Sequence, residues 1–276
     1  MIRYEIGIVE TRNVIKTILD TYGYDFRDYA LTSLKRRLEN VIINNGFKDA
    51  DGLIARLTSS KDYFEVFLNE IIPETTEMFR DPSLWRTLRD ELLPDIMKSS
   101  SKPKLWVAAF DSGEELYSLA IILKEAGVLS DVQLYASTIS DKTIDKIKNG
   151  RIDAKELEVN DANYLRLNGK SKFSEYYKID NGQTILDTSL IHGVNFIKQN
   201  TLYDNAPGGI KLILFRNQMI YYNQIQQDKV LNQLTNSVVP GGYLILGVKE
   251  TLENTNTSNK FTVFNDLEKI YKKKTT

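Results

Sequence analysis

The sequence predicts an α/β protein: a small all-helical amino-terminal domain, then a doubly wound sheet carrying a small antiparallel insertion. Three observations predict it. Up to about residue 75, apolar residues recur at helical spacing between polar breaks. After Pro103, short apolar runs alternate with helical segments, the pattern of a parallel sheet covered by helices. Between about residues 162 and 200 that alternation lapses into aromatic residues scattered among polar ones.

In the first part, Val14, Ile15, Ile18, Leu19 and Tyr22 share one helical face, and Leu31, Leu34, Leu38, Val41 and Ile42 share another. Gly23 and Gly46 mark the breaks, and a further helix is expected from Ser60 or Asp62 through Tyr63, Phe64, Val66, Phe67 and Leu68. In the second part, strands are expected over 104–110, 132–139, 209–215 and 242–247, and helices over 114–127, 141–149 and 224–238. Segments 260–264 and 267–271 are expected to close the sheet with antiparallel strands. Within the insertion, Asp180-Asn181-Gly182 is a hairpin turn signal. Residues 254–259, all Asn, Thr and Ser, are expected to form a mobile loop. The domain boundary is placed at 75/76.

Composition narrows the chemistry. The 276 residues are 42% hydrophobic and 26% charged, and no apolar run approaches the roughly 20 residues that span a bilayer. The first residues lack the basic start and apolar stretch of a secretory signal, so the cytoplasm is the expected compartment. There is no cysteine, which excludes disulfides, thiolate nucleophiles and Cys-bound zinc. His192 is the sole histidine, and no nucleophile elbow accompanies it; a loop or surface position is expected, and no metal site. A formal net charge of −1 offers no global positive field for a polyanion, so no nucleic acid partner is expected.

The first predicted strand runs into Phe110-Asp111-Ser112-Gly113-Glu114-Glu115, a glycine turn at the carboxyl end of a strand, where ligands of open α/β sheets bind. A single glycine there is by itself more often a tight turn than a cofactor loop. Other segments accompany it in chain order. Thr75-Thr76-Glu77-Met78-Phe79-Arg80-Asp81-Pro82 lies upstream; Asn200-Thr201-Leu202 and Phe215-Arg216-Asn217-Gln218-Met219-Ile220-Tyr221-Tyr222 lie downstream. Near the start stand Tyr24-Asp25-Phe26 and Leu34-Lys35-Arg36-Arg37-Leu38.

Together these segments resemble CheR, the family of S-adenosylmethionine-dependent methyltransferases that esterify glutamate side chains of chemotaxis receptors. The resemblance spans essentially the whole chain, and its most specific part is the Arg-Asn-x-Met-Ile-Tyr run at 216–221. It implies a Rossmann-like methyltransferase sheet over 76–276, with S-adenosylmethionine as cofactor and S-adenosylhomocysteine as product. Arg80 and Tyr221 are implied beside the transferred methyl group, with Arg80 chemically suited to a two-pronged hold on a carboxylate. Thr76, Arg80, Glu114, Thr138, Asn200, Thr201, Arg216 and Asn217 are implied in the cofactor pocket, Glu114 as an acceptor for the methionine amino group. Arg216 and Asn217 have an alternative reading as polar strand ends that satisfy loop carbonyls. The missing catalytic histidine fits, because a glutamate with a pKa of about 4.3 is already ionised at neutral pH and needs alignment rather than deprotonation.

One position departs from the family. The second strand of such sheets usually ends in an acid that accepts from both ribose hydroxyls, and here Tyr135-Ala136-Ser137-Thr138 ends in threonine. Losing a charge-assisted hydrogen bond costs about 1.5–3 kcal/mol. Asp111, where the family has serine, is a candidate to compensate. The departure keeps open a catalytically impaired interaction module, beside a methyltransferase acting on another protein or a small acid. The expected partner is a chemoreceptor-like signalling protein, with any membrane association only through it, and a monomer is expected. The insertion occupies the place where the family docks a receptor tail. Lys35, Arg36 and Arg37 would suit an acidic receptor surface, though three cations on a helix are as a rule a solvated face.

Overall fold

The computed structural model describes residues 4–27, 29, 31–71, 77–109, 112–152, 154–199 and 204–275. The chain forms two compact units, Met1–Pro73 with Gln218–Lys229, and Glu74–Asn217 with Val230–Thr276.

Four helices occupy the amino-terminal part of the first unit: α1 (Ile8–Tyr22), α2 (Leu31–Asn44), α3 (Ala50–Ser59) and α4 (Lys61–Ile71). Each presents an apolar stripe inward, among them Val14 and Ile18, Leu34 and Leu38, Leu53 and Leu57, Phe64 and Phe67. Helix α1 stops where Gly23 adopts φ 72° and its N–H returns to the Leu19 carbonyl, a left-handed cap that glycine takes without steric cost. The Asp49 side chain accepts from Gly52 N and opens α3, a helix the sequence reading did not anticipate. The Tyr22 and Phe64 rings stack at 3.8 Å between centroids, joining α1 to α4.

The second unit begins with α5 (Pro82–Thr87), continues through one wider turn at Leu88–Leu92, and ends that stretch with α6 (Leu93–Ser99). Then follow β1 (Lys104–Val107), α7 (Glu114–Glu125), β2 (Gln133–Thr138), α8 (Asp141–Lys148), β3 (Arg151–Ile152) and α9 (Leu157–Leu167). The remainder is β4 (Tyr177–Asp180), β5 (Gln183–Leu186), β6 (Asn195–Lys198), β7 (Ile210–Phe215), α10 (Gln224–Ser237), whose residues up to Lys229 belong to the first unit, β8 (Val238–Leu246), β9 (Phe261–Asn265) and β10 (Ile270–Lys273). The main sheet runs β6-β2-β1-β7-β8-β10-β9. Strands β6, β2, β1, β7 and β8 are parallel, and β10 and β9 close one side antiparallel, as expected from the sequence. Strand order reverses between β1 and β7, where the chain leaves β1 toward β2 on one side and later returns as β7 on the other. Ligands of open α/β sheets bind at the carboxyl ends of the strands flanking such a reversal. Helix α7 is buried on nearly every face, including Leu116, Leu119, Ile121 and Ile122.

A small antiparallel sheet, β3-β5-β4, is also present. Its hairpin turns at Asn181 and Gly182 with φ 48° and 75°, the doubly positive backbone that an Asn-Gly pair favours. Its third strand, β3, comes from upstream of the segment singled out in the sequence. Residues 195–198, assigned above to the insertion, pair with β2 in the main sheet. The Asn/Thr run at 254–259 also differs from expectation: it is a tight turn in which Thr255 and Thr257 are buried, their hydroxyls 3.3 Å apart, and Thr255 donates to the Leu252 carbonyl. Threonine hydroxyls that close local turns replace the solvent a polar loop would otherwise seek. His192 is exposed in a turn, and no helix among the described residues is long and apolar enough to cross a membrane.

Candidate functional site

At the carboxyl end of β1, Ala108 N still donates to Leu214 O on β7 at 2.8 Å, and Ala109 then turns with φ 54°. After residues 110 and 111, which lie outside the described residues, Ser112 and Gly113 lead into α7. A Cβ on Gly113 would sit 3.2 Å from the Ile147 side chain, so glycine lets the turn approach α8 closely. Glu114 is the first residue of α7 and is buried; an acid there lies at the positive end of the helix dipole.

The upstream segment is a strained turn. Phe79 and Asp81 both have positive φ, 53° and 57°, each costing about 1–3 kcal/mol for a side chain other than glycine. Surrounding groups hold it in place. Met78 N donates to Asn160 Oδ1 at 2.9 Å, Phe79 N to Ser118 Oγ at 2.9 Å, and Trp85 Nε1 to the Arg80 carbonyl at 2.9 Å. Arg80 is therefore presented by a backbone fixed on both sides. Thr76 lies outside the described residues.

Arg216 follows β7 and is buried, its side chain 1% exposed. One terminal nitrogen donates to Glu115 Oε1 at 2.6 Å and the other to Asp81 Oδ2, joining the strand end to the Arg80 turn and to the first turn of α7. Burial pushes the Glu115 carboxyl up from its ordinary value; Arg216 and, more weakly, Arg80 oppose that rise. The structure thus brings Arg80, Arg216 and two acids into one charge cluster. Sequence assigns Glu115 no role and offers Asp81 only as an ion-pair partner for its neighbour Arg80. Their shared partner, Arg216, lies 101 and 135 residues away respectively, and no local pattern signals the pairing.

Asn217 takes φ 58°, and its N–H donates to Glu250 Oε2 at 2.9 Å. The same oxygen accepts from Gly247 N at 2.6 Å. A Cβ on Gly247 would fall 2.6 Å from Asn217 Oδ1, so the ends of β7 and β8 approach as closely as glycine permits. Glu250 is a buried carboxylate that sequence reading missed; its only signal is an acid three residues after a strand-ending glycine.

Thr138 ends β2 with its hydroxyl buried and without a partner among the described residues. An orphaned buried hydroxyl costs about 1–3 kcal/mol unless something pairs with it. At the carboxyl end of a parallel strand such an atom fits a ligand hydroxyl, and the ribose of S-adenosylmethionine carries two. On the neighbouring strand end Gln199 N donates to Thr138 O at 2.8 Å, and Gln199 Oε1 is likewise buried without a partner among the described residues. Asn200 and Thr201 lie outside the described residues. Thr138 Oγ1 and Gln199 Oε1 are thus buried polar atoms at adjacent strand ends, while Arg216 is engaged by two acids.

Tyr221 belongs to the first unit and ends a short turn, Met219–Tyr221. The Arg37 guanidinium lies over its ring at 3.8 Å from the centroid. Next to it Tyr222 forms an antiparallel bridge with Tyr29, their rings meeting edge to face at 5.2 Å. Gln227 Nε2 closes the segment by donating to the Met219 and Tyr222 carbonyls at 3.0 and 3.1 Å.

Comparison with known proteins agrees with this architecture. Residues 10–72 match the family described as CheR methyltransferase, all-alpha domain, and residues 74–267 match CheR methyltransferase, SAM binding domain. Cher3 of Pseudomonas putida is 31% identical over 265 residues, which cover 96% of this chain and 97% of that protein. A chemotaxis protein methyltransferase of Vibrio anguillarum is 33% identical over 67% of each chain. One of Listeria innocua is 24% identical over 84% of this chain and 86% of its own. The two matches cover the helical unit from residue 10 and the sheet through β9, and the chain belongs to the CheR family of S-adenosylmethionine-dependent methyltransferases.

Proposed function

We propose that this protein transfers the methyl group of S-adenosylmethionine to glutamate carboxylates of a chemoreceptor or a similar signalling protein. The observation that carries the proposal is the strained turn at Phe79–Arg80–Asp81, tied by Arg216 to the start of α7, in a chain whose relatives include named chemotaxis protein methyltransferases. When bound, the cofactor supplies an electrophilic methyl group on a sulfonium sulfur. The chain's own residues supply position. Glu114 holds the amino group of the methionine moiety, and Thr138 pairs with the ribose through a single hydroxyl. Arg80 orients the incoming carboxylate, which is ionised at neutral pH and needs no general base. Asp81 and Glu115 engage Arg216 and so tie the Arg80 turn to the start of α7. Tyr221 contributes beside the transferred methyl.

The test combines calorimetry with transfer. Saturable binding of S-adenosylhomocysteine that Glu114→Ala abolishes, together with base-labile methyl label on a cytoplasmic chemoreceptor fragment, is the expected result. Binding without transfer, or label that resists base, overturns the glutamate ester reading. Absence of binding at millimolar ligand overturns the site assignment as well.

A further inference from the structure

Three consecutive cations on α2 form a basic patch in the sequence, yet the structure gives them three different situations. Lys35 lies 3.9 Å from Glu39 one turn on, Arg36 is exposed, and Arg37 is half-buried with its guanidinium over the Tyr221 ring. Arg37 is held from a second side, because its Nη1 donates to the Ile71 carbonyl at 2.9 Å at the end of α4. A cation there satisfies one of the carbonyls a helix leaves open and lies at the negative end of the helix dipole. The guanidinium plane is therefore fixed by α2 and α4 before it meets the ring.

Tyr221 lies in the turn that receives this contact. Its turn is a single winding with two backbone hydrogen bonds, Tyr221 N to Gln218 O at 3.1 Å and Tyr222 N to Met219 O at 3.0 Å. The neighbouring ring of Tyr222 is buried against Tyr29, whereas the Tyr221 ring is only half-buried and is covered on one face by Arg37. A flat guanidinium on an aromatic face combines cation–π attraction with stacking, which an ammonium group does not reproduce.

We infer that Arg37 is a positioning residue for methyl transfer: through α2 and α4 it fixes the plane of Tyr221. The inference rests on the proposed place of Tyr221 beside the transferred methyl.

The experiment compares Arg37→Ala, Arg37→Lys and the exposed neighbour Arg36→Ala, each checked for folding by its melting curve. Methyl transfer to a cytoplasmic chemoreceptor fragment is measured alone and in a Tyr221→Leu background. Arg37→Ala is expected to lower kcat by about threefold to thirtyfold, the range a cation–π contact of ordinary strength supplies. The acceptor KM and the affinity for S-adenosylhomocysteine stay within about twofold, the signature of an interaction that serves the transition state. Arg37→Lys falls between, and remains informative if the alanine variant is unfolded. In Tyr221→Leu, which has no ring to hold, Arg37→Ala causes no further loss. In protein carrying fluorotyrosine, the Tyr221 resonance, identified by its absence in Tyr221→Phe, moves in Arg37→Ala and not in Arg36→Ala. A raised acceptor KM with unchanged kcat overturns the inference and makes Arg37 a docking cation; additive losses or an unmoved resonance overturn it too. Unchanged kcat in Tyr221→Leu removes the assignment of Tyr221 itself, an outcome read without any Arg37 variant.

Discussion

The Ser118 hydroxyl accepts from the backbone N–H of Phe79 at 2.9 Å and donates to the Glu114 carbonyl at 2.6 Å. One buried side chain thereby couples the strained turn that presents Arg80 to the first residue of α7. Its removal leaves a buried N–H without an acceptor at a residue whose φ is already 53°. Ser118→Ala is expected to lower stability by about 1–3 kcal/mol, measured by chemical denaturation. It is also expected to weaken S-adenosylhomocysteine binding by calorimetry, because the turn relaxes toward ordinary backbone when the bond is lost. Lost stability with unchanged affinity would show that the turn keeps its shape without this contact.

Arg216 poses a different energetic question, since two acids converge on one buried guanidinium. Removing one partner of a buried ion pair typically costs about 3–5 kcal/mol, because a charge is left without compensation. Arg216→Met is expected to fall in that range. Adding Glu115→Gln to Arg216→Met is expected to restore part of the loss, as the uncompensated carboxylate disappears with it. Full additivity of the two substitutions in urea denaturation would contradict the pairing.

Thr138 tests how a threonine serves where the family places an acid. Thr138→Asp gives a ribose two acceptor oxygens in place of one hydroxyl and is expected to tighten S-adenosylhomocysteine binding about tenfold. The unliganded protein is expected to become less stable, because the new carboxylate is buried without a designated partner. A melting curve shows both effects at once, with a lower starting midpoint and a larger upward shift on adding ligand. Unchanged affinity would place the ribose elsewhere.

Much of this architecture was legible in the sequence, for physical reasons that also mark where legibility ended. The parallel strands announced themselves because both of their faces are buried, so 104–107 and 210–215 read as nearly continuous apolar runs. The Asn181-Gly182 turn was legible because few other pairs tolerate two positive φ values in succession. Strand β6 was not, since Asn195-Phe196-Ile197-Lys198 is a short edge strand with exposed ends and no periodicity to separate it from a loop. The charge cluster was only half legible. Resemblance singled out Arg80 and Arg216, but Glu115 and Asp81 acquire their roles from a partner more than a hundred residues distant in sequence. Glu250 was invisible for the same reason, its two donors coming from the ends of adjacent strands. The Arg37 contact with Tyr221 lay hidden inside what looked like a uniform basic face.

The outer edge of the sheet supplies a pH dependence whose sign follows from its geometry. Asp95 on α6 accepts from Tyr243 Oη on β8 at 2.6 Å and from Lys272 Nζ on β10 at 2.9 Å. The Tyr243 hydrogen bond, then that from Lys272, holds the Asp95 carboxyl below the usual carboxylate range. A carboxyl whose pKa is lowered in the folded state stabilises the fold above its unfolded value and loses that contribution as pH falls through the folded one. The stability gap between the parent protein and Asp95→Asn is therefore expected to be present at neutral pH and to close progressively below about pH 4, where the unfolded aspartate begins to protonate. Added salt is expected to narrow the gap at neutral pH, because the Lys272 contact is half exposed while the Tyr243 hydrogen bond is little screened. Denaturation midpoints of the two proteins across the acid range measure this directly. A gap that stays constant down to the lowest pH at which both proteins fold would mean that Asp95 holds α6 to the sheet through its shape alone.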